Sequence, residues 1–225
     1  MRLIIFLLLA AFLNSCSTKE PLYHSQHYVF GTLVDISIYG ETDVRASQAA
    51  NDIIQQYTQL HQRLHAWKPS EITAINQALA AGKSIVVAPD IANILKHAAH
   101  LSTQSDGLFN PTIGQLVKTW GFHDDQFVAK TINHATIKKL VAANPQLSDI
   151  KIENNIVSSH NPAVQLDLGG YAKGYALDIG IKHLQTKGIQ HALINIGGNI
   201  IALGQHGEKP WMVGIQHPRQ PNAIA

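Results

Sequence analysis

The sequence is poor in the residues that build disulfide frameworks, thiolate metal sites and strongly charged surfaces. It holds a single cysteine in 225 residues, which excludes an intramolecular disulfide and a metal site made of several thiolates. Charged residues make up 14% and the formal net charge is only +2. A strongly basic surface, the usual mark of a nucleic-acid-binding protein, is therefore missing, and we expect no nucleic acid partner.

Long apolar runs, internal repeats and low-complexity blocks are also missing. The longest unbroken apolar run, Leu3–Leu13, is shorter than the roughly 20 residues that a membrane-spanning helix needs. Hydrophobic residues nevertheless make up 45% of the chain, which is typical of a globular protein. A chain of this length can bury a core as one domain or as two subdomains.

Residues 1–15 have the pattern of a bacterial lipoprotein signal peptide. A basic second residue precedes the apolar run, and small residues lead to Cys16, the sole cysteine. We expect Cys16 to be lipidated and to begin the mature chain; the alternative is an ordinary signal peptide with an unrelated cysteine. Residues 16–25 would form a tether, and the domain would face the periplasm. Ser17, in place of an aspartate, favours the outer membrane over the inner one.

Hydrophobic periodicity predicts a mixture of helices and strands. Helical spacing predicts helices from Thr42 to Pro69, Ser70 to Gly82, Pro89 to Asp106, Gln115 to Trp120, His134 to Ala143 and Gly170 to Lys187. Alternation predicts strands over Tyr28–Tyr39, Ile85–Val87, Ile150–Ile152, Ile156–Ser158, Gln165–Leu168, His191–Ile196, Asn199–Leu203 and Trp211–Ile215. Because strands and helices do not alternate strictly, the predicted fold class is α+β.

The stretch Gln165–Asp178 carries the strongest chemical signal. Asp167 closes an extended segment, two glycines make the bend, and Lys173 lies in the first helical turn. Glycines let a backbone approach a ligand, and a helix N-terminus with a lysine favours anions. The pattern fits a phosphate or pyrophosphate site, but equally a tight strand-to-helix bend with a solvated lysine. Neither the G-x-G-x-x-G nor the Walker fingerprint is present.

This stretch also resembles a known family. The letters DLGGYAKGYALD, from Asp167 to Asp178, are similar to the signature of the FAD:protein FMN transferases, the ApbE family. Other stretches match in family order, namely FGT at Phe30–Thr32, WKPSE at Trp67–Glu71 with Asn76, GLFNPT at Gly107–Thr112, and ALINIGGN at Ala192–Asn199 followed by WMVGI at Trp211–Ile215 and by Pro218. Three departures are a Phe where Met is common, one residue fewer before Glu71, and Asn110 where Asp is common.

The resemblance implies an ApbE-like (T-fold-like) mixed sheet with packed helices over residues 26–225. It implies that FAD is contacted by Phe30, Trp67, Leu108, Phe109, Asn110, Asp167 and Lys173. The backbone carbonyl of Gly170 would bind Mg²⁺, a hard ion that prefers oxygen. Without the resemblance, Phe30 and Phe109 read as core residues, Trp67 as the end of a helix, and Asp167 as a turn or capping residue.

The implied reaction splits FAD at its pyrophosphate. FMN passes to a Thr or Ser hydroxyl of a redox protein, such as a subunit of an ion-pumping NADH:quinone oxidoreductase or of an Rnf-type complex, and AMP leaves. The chemistry calls for Mg²⁺ and for a base that takes the hydroxyl proton. The alternatives are a non-catalytic lipoprotein that binds FAD or a partner, and a pyrophosphatase that gives FMN and AMP.

Three family segments, A-T-S-G, H-x-[I/L]-D-P and D-A-x-[A/S]-T, are not found in the sequence. The family's catalytic histidine and its Asp and Thr metal ligands belong to them, so the catalytic residue stays unknown. Residues 122–125 (FHDD) do not replace H-x-[I/L]-D-P, because they come in the wrong order and lack the proline. We expect a fragment of a longer protein or a degenerate copy whose domain is incomplete at the C-terminus.

Two histidine pairs have the spacing of zinc ligands on a helix. His61 and His65 lie four residues apart, and His97 and His100 three apart. We predict that both pairs lie on exposed helix faces. Because no third ligand is indicated, surface histidines are the preferred interpretation.

Overall fold

The computed structural model of the chain describes residues 21–125, 131–215 and 217–220. The strands are β1 (Leu22–Val29), β2 (Thr32–Tyr39), β3 (Ile85–Val86), β4 (Ile150–Glu153), β5 (Ile156–Ser159), β6 (Ala192–Ile196) and β7 (Asn199–Leu203). The helices are α1 (Asp43–Arg63), α2 (Glu71–Ala80), α3 (Pro89–Gln104), α4 (Gly114–Thr119), α5 (His134–Ala143) and α6 (Gly169–Thr186). No helix within these ranges is long and apolar enough to cross a membrane.

The larger sheet has the strand order β1-β2-β6-β7, and each neighbouring pair is antiparallel. On β2, Val34, Ile36 and Ile38 are fully buried, and so are Ile194 and Ile196 opposite them on β6. Successive side chains of a strand point to opposite faces, so these residues form one apolar face. Helices α1 and α6 cover the sheet there and contact each other.

Gly180 of α6 lets this layer close. A methyl group on it would collide with the Tyr57 hydroxyl of α1 and lie 2.8 Å from Ile194 Cδ1 of β6. Tyr57 itself is fully buried. A glycine in mid-helix costs up to about 1 kcal/mol relative to alanine, and here it permits the contact of two helices with the sheet.

The smaller sheet has the order β3-β5-β4, again antiparallel. Helix α2 contacts β3 and β5, and it begins with a capping box in which Ser70 and Thr73 bond each other's backbone. Val157 of β5 belongs to the same buried cluster as the residues of the larger sheet. The two sheets therefore share one hydrophobic core.

The segment Tyr28–Tyr39 is a hairpin, so the prediction of one strand is wrong. Phe30 and Gly31 form the turn with φ of 57° and 71°, and Val29 pairs with Thr32. Two positive φ values are the mark of a type I′ turn, whose usual Asn-Gly signal is missing here. Because β1 begins at Leu22 and pairs with β2, the tether predicted to reach residue 25 ends earlier than predicted.

Three other segments differ from the prediction. Helix α1 ends at Arg63, which leaves Trp67 in a loop. Gln165–Leu168 makes only an isolated bridge between Gln165 and Ile113. Trp211–Ile215 is not a strand, since no described strand pairs with it; there Trp211 Nε1 donates to the Leu203 carbonyl at 3.1 Å. Alternation alone does not supply the neighbour that a β-ladder needs.

Candidate functional site

A side chain of α2 and a neighbouring loop, rather than a sheet, hold the segment that leads into α6. The amide of Asn76 on α2 bonds both backbone groups of Leu166: its Nδ2 donates to the carbonyl at 2.9 Å, and its Oδ1 accepts from the N–H at 2.6 Å. The N–H of Asp167 donates to the Pro111 carbonyl at 2.8 Å. Asn76 and Leu166 are buried. These bonds satisfy an otherwise unpaired backbone and fix where Asp167 lies.

Both carboxylate oxygens of Asp167 are engaged. Oδ1 accepts from the Gly169 N–H at 2.8 Å, and Oδ2 accepts from His123 Nε2 at 2.8 Å. The side chain of Asp167 is 13% exposed and that of His123 only 3%. Burial by itself raises the pKa of Asp167, but the hydrogen bonds from His123 and Gly169 outweigh it, and the pKa lies below its ordinary value. The carboxylate is therefore ionised near neutral pH.

A row of rings leads from the β1–β2 turn to this carboxylate. Ring centroids are 5.5 Å apart for Phe30 and His61, 5.1 Å for His61 and His65, 4.4 Å for His65 and Trp67, and 5.0 Å for Trp67 and His123. The last two rings are stacked, with an interplanar angle of 21°. Aromatic pairs at these distances add stability beyond the area they bury, so the row positions Trp67.

The histidines of this row are not exposed, so the prediction for His61 and His65 is wrong. Both side chains are half-buried, because the last turn of α1 faces the loop that carries Trp67. Burial is the main cause that lowers the pKa of each. The Lys68 N–H donates to His65 Nδ1 at 3.1 Å, which requires an unprotonated nitrogen there. The lowered pKa values indicate that both imidazoles are mostly neutral near pH 7, and the hydrogen bond supports this for His65.

Four of the sequence-predicted site residues line one cavity of about 120 Å³, namely Phe30, Trp67, Asp167 and Lys173. The backbone of Gly169 and the side chain of Ala172 form its α6 wall, and His61 and His65 complete the aromatic side. The cavity is thus bordered by rings on one side and by the start of a helix on the other. We call it the ring cavity.

A second cavity, of about 480 Å³, lies against the opposite face of the first turns of α6. It is lined by Phe109, Gly170, Tyr171, Tyr175 and other residues. Tyr171 and Tyr175 stack with centroids 5.4 Å apart. We call it the tyrosine cavity. Two aromatic-lined cavities therefore flank one helix N-terminus, and six of the eight residues predicted to contact FAD or Mg²⁺ line them.

The N-terminus of α6 is suited to an anion. Leu168, at the N-cap position, has no side chain that caps the helix, whereas Thr42 and Ser70 cap α1 and α2. The Gly169 N–H donates to Asp167 Oδ1, and those of Tyr171 and Ala172 donate to the Leu168 carbonyl, so it is the positive end of the helix dipole, rather than a set of free N–H groups, that favours negative charge here. The ammonium of Lys173, about one turn into α6, adds a full positive charge. An anion lying between the two cavities would meet both.

Two predicted residues are placed differently. Leu108 is 91% exposed and is not among the residues that line the ring or tyrosine cavity. The side chain of Asn110 shapes its own loop: Oδ1 accepts from the Thr112 hydroxyl at 2.6 Å, and Nδ2 donates to the Pro145 carbonyl at 2.8 Å. An uncharged amide can do both, since it carries a donor and an acceptor.

The described residues do not make a magnesium site. They contain no group of three or more His, Cys, Asp or Glu side chains that could hold a metal, and this also leaves both histidine pairs without a third zinc ligand. Gly170 offers only a backbone carbonyl. Mg²⁺ usually keeps several waters and binds one or two carboxylates together with substrate phosphates, so the Gly170 carbonyl alone does not define its site.

His123 is the site residue that sequence reasoning missed. Residues 122–125 do not match the family's catalytic segment, and their sequence indicates no other role. Nothing in their periodicity or spacing indicates that they fold back onto Asp167, because that contact joins residues 44 positions apart. The nearest available signal is that a histidine follows Trp120-Gly121-Phe122, at the end of a predicted helix.

Comparison with known proteins identifies the family. The sequence profile of the ApbE family matches residues 30–225. The chain belongs to the ApbE family. The FAD:protein FMN transferase of Rhodobacter capsulatus is 40% identical over 212 residues, which cover 94% of this chain and 40% of that protein. The transferase of Vibrio cholerae is 24% identical over 92% of this chain and 62% of its own length. The chain thus spans about 40–62% of the length of these two relatives.

Solved ApbE structures share the fold. The ApbE protein of Thermotoga maritima superposes with a TM-score of 0.81 at 23% identity, over 91% of this chain and 66% of that one. The flavin transferase ApbE of Vibrio cholerae gives a TM-score of 0.75 at 25% identity, over 88% and 65%. The predicted ApbE-like α+β architecture is confirmed.

Proposed function

We propose that this chain supplies the FAD-binding part of a FAD:protein FMN transferase. The transferase would move FMN from FAD to a Thr or Ser hydroxyl of a redox protein and release AMP. Family membership supports the reaction, since the matched relatives carry that name. The structural observation that carries the proposal is the pair of aromatic-lined cavities on opposite faces of the α6 N-terminus. FAD matches this arrangement, because it has two flat ring systems, one for each cavity, joined through a pyrophosphate.

The flavin would lie at the ring cavity and the adenine at the tyrosine cavity. Phe30 and Trp67 offer aromatic surface for an isoalloxazine ring, and Trp67 is 40% exposed. A cavity of about 120 Å³ is smaller than ligand sites usually are. The flavin would therefore stack partly outside it, on the free face of Trp67. Phe109, Tyr171 and Tyr175 offer the equivalent surface to adenine.

The pyrophosphate would lie between the cavities, where the α6 N-terminus and Lys173 favour negative charge. Transfer requires the acceptor oxygen to attack the phosphorus that bears the ribityl chain. The bond from that phosphorus to the AMP oxygen breaks, and the hydroxyl proton passes to a base. No described residue is assigned as the base. The expected Mg²⁺ would polarise the phosphate.

We also propose a membrane-anchored acceptor system. The lipobox-like pattern at Cys16 supports a lipid anchor that holds the domain on the periplasmic side, with the outer membrane favoured by Ser17. Acceptors would then be membrane redox proteins, such as subunits of ion-pumping NADH:quinone oxidoreductase or of Rnf-type complexes.

Metabolic labelling with a fatty acid tests the lipid anchor. The wild-type protein should carry the label and Cys16→Ala should not. Label on both proteins would contradict the anchor.

The reaction is tested by incubating the chain with FAD, Mg²⁺ and an acceptor domain that carries the target threonine. A mass increase of the acceptor by one FMN, together with released AMP, is the expected result. FMN and AMP released without acceptor modification would favour the pyrophosphatase. FAD binding without turnover would favour the non-catalytic binding protein. Failure to bind FAD in a calorimetric titration would overturn the proposal.

A further inference from the structure

His123 lies outside every stretch that matches the family signature, yet it touches two residues of the proposed flavin site. Its Nε2 donates to Asp167 Oδ2 at 2.8 Å, and its ring stacks on Trp67 at 5.0 Å. The neighbouring Asp125 forms an ion pair with Lys68 at 2.7 Å. This is a second contact between the loop that carries Trp67 and the loop that carries His123. That exposed pair adds little stability, so His123 makes the main contact.

The polar contact places a proton on one nitrogen of the imidazole. An ionised carboxylate only accepts hydrogen bonds, so Nε2 carries a proton. The other nitrogen, Nδ1, is buried and has no hydrogen-bond partner among the described residues. Leaving a buried polar atom unpaired is unfavourable. An apolar side chain would fill this space without leaving a polar atom unpaired. The hydrogen bond to Asp167 is therefore what the imidazole contributes at this position.

His123 and Trp67 also form a wall. Trp67 lines both the ring cavity and a third cavity of about 520 Å³. His123 lines the third cavity and is not among the residues that line the ring cavity. The orientation of the Trp67 indole therefore sets the border of the ring cavity. His65, at 4.4 Å edge-on, is the second ring that contacts the indole.

We propose that His123 is a positioning residue of the flavin site. It orients the Asp167 carboxylate through Nε2 and holds the Trp67 indole by stacking, so that both are in place before FAD binds. The inference rests on the proposed FAD binding, because positioning matters only if these residues meet the ligand. Preorganised groups bind more tightly, since less conformational freedom is lost on binding.

Two variants separate the contacts in a calorimetric titration of the full chain with FAD. His123→Phe keeps a flat ring against Trp67 but loses the hydrogen bond, and we expect FAD affinity to fall about tenfold or more. His123→Gln keeps a donor for Asp167 but loses the ring on Trp67, so it should recover part of that affinity, and the remaining deficit measures the stacking contact. His160→Phe is the matched control, because His160 pairs with Asp149 at 3.2 Å outside the three cavities described above; it should bind FAD like wild type.

A double-mutant cycle distinguishes positioning from a merely structural role. Asp167→Ala, which removes the acceptor, should weaken FAD binding, and adding His123→Phe to it should cause little further loss, because the hydrogen bond between the two residues is already absent. Wild-type affinity in His123→Phe, an equal loss in both backgrounds, or no recovery in His123→Gln would each overturn the inference. If wild type itself does not bind FAD, it is the proposed function that fails.

Discussion

The two halves of α6 face different environments. Its C-terminal half lies in the core, where Gly180 touches Tyr57 and Ile194. Its N-terminal end lies among loops that carry Asp167, and Lys173 faces the ring cavity. Both halves bury residues, but the contact at Gly180 is tightly packed, whereas the N-terminal end has no side-chain cap from Leu168 and borders the ring and tyrosine cavities. Stability and ligand binding are thus divided along one helix, and substitutions should affect them separately.

The largest effect is expected where the segment that precedes α6 is held in place. Asn76→Ala removes both hydrogen bonds to Leu166 and leaves a buried N–H and a buried carbonyl unpaired. We expect the free energy of unfolding to fall by about 2–4 kcal/mol, and FAD affinity to fall as well, because Asp167 follows directly. Urea unfolding and a titration with FAD measure the two. Gln77→Ala, an exposed neighbour, should stay within about 0.5 kcal/mol of wild type in stability; an equal loss there would contradict the role of Asn76.

The core half should respond in stability alone. Gly180→Ala places a methyl group against Tyr57 and Ile194, and we expect a loss of about 1–3 kcal/mol from overpacking. Gly174→Ala is the same change on the same helix with no atom within 4 Å, and it should raise stability by up to about 1 kcal/mol. Two changes of the same sign would show that the close approach at Gly180 does not decide the packing.

The ligand end should respond in affinity alone. Lys173→Gln removes the cation next to the α6 N-terminus, and we expect FAD affinity to fall about tenfold, roughly 1.4 kcal/mol, with an unchanged urea midpoint. The difference should shrink at high salt, because a partly exposed charge is screened. Lys182→Gln, an exposed lysine on the same helix, is the control. Equal FAD affinity in both variants would remove Lys173 from the site.

The smallest effect concerns how the free energy of unfolding depends on pH. The pKa of Asp167 lies below its unfolded value, so the carboxylate contributes stability above that value, about 3.9, and loses it as pH falls through the folded pKa. Asp167→Asn should therefore show a less steep loss of stability below about pH 4 than wild type. Urea unfolding between pH 3 and pH 6 measures this. Parallel curves for the two proteins would show that Asp167 is not held by His123 and Gly169 in solution.

The sequence predicted the elements whose partners lie nearby along the chain. Helix α3 follows from the period of Ile91, Leu95 and Ala98, and all three are buried. The hairpin at Phe30 was missed because a bulky residue rarely adopts positive φ, so no local signal marked the turn. Contacts between distant positions were out of reach, and the bond between His123 and Asp167 is the main example.

The sequence by itself determined the α+β class, the start of α6 with its lysine, and the residues that resemble the ApbE signature. These depend on local periodicity, capping and letter order, which a chain displays without being folded. Tertiary structure alone decided which of those residues meet. It brought Phe30 and Trp67 to one cavity with Asp167, left Leu108 exposed, and added His123. The physical reason is that burial and hydrogen bonds between distant segments are set by how layers pack, and packing depends on the whole chain at once.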